Sequence, residues 1–124
     1  MLDRRTFLGA MGGTLAASSF SWAQPAPRKR MAIVTTEWRY HSHAWHMGER
    51  FLVGYPNNGR WHQPPFDVVS VYVDQQPEND LSRRRSKEFG FPIYPSIAEA
   101  LRCGGKELAV DAVLVIGEQI GRAH

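Results

Sequence analysis

The chain has 124 residues, 43% of them hydrophobic and 22% charged, with a formal net charge of +3 and a single cysteine. That length suits one modest domain, one cysteine excludes an intrachain disulfide, and so small a charge of mixed sign excludes an electrostatic footprint for nucleic acid.

The opening stretch, MLDRRTFLGAMGGTLAASSFSWA, places Arg4 and Arg5 ahead of a weakly apolar run from Phe7 to Phe20 and a small-x-small site at Ser21-Trp22-Ala23. It resembles a twin-arginine export signal cut after Ala23, so residues 1–23 are expected to meet the twin-arginine export machinery and the mature chain to be periplasmic or exported. A membrane span needs about 20 strongly apolar residues. Gly12, Gly13, Ser18 and Ser19 dilute this run, so no stable membrane anchor is expected. Residues 24–30 follow as a basic leader.

Met31 to Thr35 is a short apolar run that predicts a buried strand. Ala44, Met47, Phe51 and Leu52 fall at helical spacing behind Ser42, which predicts a helix over His43–Val53 with Ser42 as its N-cap. Gly54 to Pro65 holds two glycines, three prolines and an Asn-Asn pair, a loop by composition. Asp67 to Asp74, DVVSVYVD, is β-branched and apolar almost throughout and predicts a second strand.

Leu81 to Phe89 predicts a helix closed by Gly90 in the position of a C′ glycine, and its Arg83-Arg84-Arg85 run, mixed with Glu78, Asp80 and Glu88, reads as a solvated face. Phe91 to Tyr94 is a short extended piece. Ser96 then caps a helix over Ile97–Cys103, with Glu99 completing a capping-box pattern, and Asp111 to Ile116 is the last strand. An edge strand needs cover, so the chain is expected to be C-terminally truncated. Residues 119–124, QIGRAH, match an in-frame reading of a common sequencing adapter and are expected to be a non-native tail. Strands that alternate with helices predict an α/β fold, a parallel sheet with helices on both faces.

The phrase FDVVSVYVD, then SKEFGFPIYPSIAEAL, then VDAVLVI resembles the N-terminal Rossmann domain of the Gfo/Idh/MocA oxidoreductases, across about half of the mature chain. The resemblance implies a partial Rossmann-like domain over residues 31–118, NAD or NADP as cofactor, and hydride transfer to or from a small sugar or polyol. The family's catalytic lysine motif and substrate-binding domain lie C-terminal to Glu118, so no catalytic residue is named.

In that family a glycine-rich turn after the first strand brings the backbone against a pyrophosphate. Its three glycine positions fall here on Thr35, Glu37 and Tyr40. The resemblance makes Thr35 and Thr36 the hydroxyl and backbone donors, His43 the family's histidine beside that loop, and Asp74 the acid for the ribose hydroxyl. Tyr40 and Asp74 are 34 positions apart against an ordinary spacing of about 20, and the segment Gly54–Pro65 reads as the insertion that makes up the difference. The alternative is a non-catalytic periplasmic binding or accessory protein of the same fold, its first loop rebuilt around Glu37, His41 and His43. Three uses stay open for His41, His43 and His46: a metal site, a ligand-facing loop, or packing at a helix start.

Overall fold

The computed structural model describes residues 27–119. The expected export signal, residues 24–26 of the leader and residues 120–124 of the tail lie outside them.

Three long strands share one parallel sheet: β1 (Lys29–Thr35), β4 (Phe66–Val73) and β6 (Ala112–Ile116). A two-residue strand, β5 (Ile93–Tyr94), completes it, and the spatial order is β5-β4-β1-β6. β1 starts two residues before the expected Met31, because Lys29 and Arg30 pair with Phe66 and Asp67. The basic leader therefore runs into the sheet. There, Arg28 Nε meets Asp67 Oδ1 at 2.6 Å and the Arg30 backbone N–H donates to Asp111.

β1 is central and apolar on both faces, as a parallel strand covered from both sides must be. Met31, Ile33 and Thr35 lie in register with Val68, Val71 and Val73 of β4 and with Ala112, Leu114 and Ile116 of β6. Their face carries the main core, into which Trp38 and Phe91 stack with ring centroids 6.0 Å apart. The opposite face bears Ala32 and Ser70, both fully buried. Their small side chains let a helix approach closely, and the Ser70 hydroxyl donates to the Ala100 carbonyl at 2.6 Å.

Helices cover both faces. The chain after β1 winds first as a π-helix (Ala44–Gly48) and then as α1 (Glu49–Val53), on the Ile33 side. Gly48 lies directly on this core: a Cβ there would meet the Trp38 ring at 3.4 Å and Ile33 Cδ1 at 3.5 Å, ordinary contact distances. α2 (Ser82–Phe89) lies on the same side, tied to α1 by Arg85 and Glu49 at 2.8 Å. α3 (Ile97–Arg102) covers the Ala32 and Ser70 face. The steps β1 to β4 to β5 move one way with helices on one face, and β5 to β6 moves back with its helix on the other. All three crossovers consequently share one hand, as parallel sheets require.

Local signals work as expected at most element ends. The Ser42 hydroxyl accepts from Trp45 N at 3.2 Å, Ser96 accepts from Glu99 N at 3.1 Å, and Gly90 closes α2 at φ +80°. The segment Gly54–Pro65 differs from the expected loop. It contains an antiparallel hairpin of β2 (Tyr55–Asn57) and β3 (Arg60–His62), turned at Asn58 and Gly59 with φ of 50° and 75°. Positive φ at both central residues is the geometry that Asn-Gly favours in hairpins. Among the described residues, no helix is long and apolar enough to cross a membrane.

Candidate functional site at the carboxyl edge of the sheet

The carboxyl ends of β1, β4 and β6 lie together, and the direction of strand succession reverses at β1. In open α/β sheets such a reversal leaves a crevice outside the carboxyl edge where ligands bind. Thr35 and Thr36 leave β1 at this edge, and their carbonyls accept the backbone N–H groups of Asp74 (3.0 Å) and Gln75 (2.8 Å) from the end of β4. The expected site residues Thr35, Thr36, His43 and Asp74 are thus brought to one edge, Thr35 and Asp74 by a direct hydrogen bond and Thr36 and His43 through Glu118.

Glu118, which the sequence did not single out, is the centre of that arrangement. Its backbone N–H donates to Thr36 Oγ1 at 3.0 Å, and its carboxylate accepts the His43 backbone N–H at 2.6 Å while standing 3.0 Å from His43 Nδ1. Its side chain is only 9% exposed. Burial alone would push this carboxyl up. The hydrogen bonds from His43 and the nearby Arg39 charge outweigh that effect and hold it below the usual carboxylate range. A carboxylate on the first N–H of the winding segment also meets the positive end of the backbone dipoles there.

Several other polar groups at this edge are committed within the chain. Thr35 Oγ1 donates to the Glu37 carbonyl at 3.2 Å, and Glu37, 5% exposed, is paired with Arg39. Ser42 Oγ accepts from Arg39 N at 3.1 Å as well as from Trp45 N. Asp74 accepts from the Tyr72 hydroxyl at 2.9 Å, and that hydrogen bond pushes the phenol up. A dinucleotide pyrophosphate needs free N–H donors and glycine-like closeness of backbone. The His43 N–H that would serve is filled by Glu118, and two further carboxylates, Glu37 and Asp74, stand at the same edge. These residues do not fit a pyrophosphate.

The histidines separate. His43 faces Glu118, whereas His41, at φ 68°, stacks on Tyr40 at 3.9 Å and on His46 at 5.9 Å, with Trp45 edge-on to both imidazoles. Their rings build a continuous aromatic ridge. Among the described residues, no three His, Cys, Asp or Glu side chains are gathered as for a metal ion.

Glu118 stayed hidden in the sequence because its partners lie 75 and 82 positions away. The one available signal was an acid two residues past an apolar strand, which is common at strand ends. Comparison of the chain with family models, with curated proteins and with solved structures finds no match.

Proposed function

We propose that the chain is a Rossmann-like binding domain of Gfo/Idh/MocA kinship whose carboxyl-edge crevice takes a small, hydroxyl-rich neutral ligand in place of a dinucleotide. One observation carries this reading: the Glu118 carboxylate occupies the His43 N–H that a pyrophosphate would need. An ionised carboxylate can accept hydrogen bonds but not donate them. Asp74 and Glu118 accordingly suit sugar or polyol hydroxyls, which donate, and oppose phosphates, which repel them.

The strand order β5-β4-β1-β6 favours a second reading, in which the same edge serves an NAD(P)-dependent sugar oxidoreductase once Glu118 has moved away. The two readings part on one titration. With NADH added to the full chain, nicotinamide fluorescence is expected to show no saturable change. Glu118→Ala, by contrast, frees an anion site that inorganic phosphate fills, seen as a phosphate-dependent rise in Tm absent from the wild type. Saturable NADH binding by the wild type at micromolar concentration overturns the neutral-ligand reading in favour of the oxidoreductase.

A further inference from the structure

A separate groove runs between the π-helix, α1, the hairpin and β6. It has a volume of about 470 Å³ and is lined by His46, Met47, Arg50, Phe51, Tyr55 and Leu114, among others. Known small-molecule sites span about 300–1,000 Å³, with mostly apolar walls and a few placed polar groups. This groove matches that description. Met47 is 40% exposed although it is apolar, and Phe51 and Leu114 are only half-buried.

Arg50 supplies the polar end. Its guanidinium carbon lies 5.3 Å from the centre of the Tyr55 ring, which fixes its position by a cation–π contact. Arg28, Arg39 and Arg85 each pair with a carboxylate. Arg50, like Arg60 and Arg84, has no such partner among the described residues, but it alone of these three lines the groove. A charge held over an aromatic ring at the lip of an apolar groove, with no acid of its own, calls for an anion attached to an apolar body. An Arg fork also matches a carboxylate in bidentate geometry.

We infer that this groove binds a small amphipathic carboxylate, its chain or ring against Met47, Phe51 and Leu114 and its carboxylate on Arg50. The site is independent of the carboxyl-edge crevice: none of its lining residues touches Glu118, Thr36 or Asp74 in any hydrogen bond described above. His46 belongs to both the groove and the aromatic ridge.

The test is a titration of the full chain with octanoate, followed by intrinsic tryptophan fluorescence, with octyltrimethylammonium as a probe of the same body and opposite charge. Octanoate is expected to saturate, and the cation to bind at least tenfold more weakly. Arg50→Glu is expected to weaken octanoate about ten- to a hundredfold, the scale of one charge-assisted hydrogen bond, and Arg50→Lys to retain most of the affinity. Met47→Trp, which fills the groove without touching the charge, should abolish binding while the far-UV circular dichroism stays that of the wild type. Equal binding of both probes, undiminished binding by Arg50→Glu or Met47→Trp, or no saturable octanoate signal overturns the inference. Because Arg50 is exposed and lies at the helix surface, the two Arg50 variants are read against each other in folded protein.

Discussion

Glu118 links a single protonation event to the order of the carboxyl edge. Its folded-state carboxyl titrates below its ordinary value, so its stabilisation is fully present above the unfolded value and is lost as pH falls through the lower, folded one. Hydrogen bonds to a charged group contribute about 1.5–3 kcal/mol. Glu118→Ala should cost roughly that much at pH 7 in urea unfolding. The gap between variant and wild type should close as the pH is lowered from the usual carboxylate range toward stronger acid. A gap unchanged by acid would mean that the carboxylate charge is not what holds His43 and Thr36. Thr36 and His43 were expected at this edge only through the resemblance to a dinucleotide-binding loop. Their common partner was not, since no local pattern marks a carboxylate that acts across 75 residues.

At the scale of elements, the hairpin and its join to α1 rest on two glycines with different demands. Gly54 sits at φ 82° and ψ −173°, a region almost closed to other residues. A Cβ there would lie 2.6 Å from both the His62 carbonyl and Trp61 Nε1. Gly59 also has positive φ, 75°, but a Cβ there would meet nothing within 4 Å. Gly59→Ala should therefore cost only the left-handed penalty of about 1–2 kcal/mol. Gly54→Ala should cost more, about 3 kcal/mol or above once the clash is added to the strain. Thermal unfolding of the two variants side by side checks the order, and equal losses would show that β2 and β3 do not pack back on the helix end. The capping serines and Gly90 were readable because their effects act within a few residues. The hairpin was readable in principle from Asn58-Gly59, but the surrounding prolines and polar residues obscured strand character.

For the whole molecule, the sheet order predicts where substitutions hurt. Ile33 in central β1 is fully buried, whereas Val115 in edge strand β6 is 71% exposed. Ile33→Ala should lose about 2–5 kcal/mol through lost burial and the cavity left behind. Val115→Ser should stay within about 0.5 kcal/mol, and denaturant midpoints measure both. Comparable losses would place β6 inside the sheet. The sequence by itself determined the α/β alternation, the parallel sense of the strands and most helix ends, because periodicity, capping and the turn glycine act over a few residues. The resemblance to a dinucleotide-binding domain added the expectation that Thr35, Thr36, His43 and Asp74 share one edge. Only the tertiary structure decided that β1 stands between β4 and β6, that His43 parts from the stacked His41 and His46, and that Glu118 takes the helix-start N–H. Those outcomes depend on which distant segments pack together, and the free energy of burying one carboxylate against donors 75 and 82 residues away leaves no periodic trace in the chain.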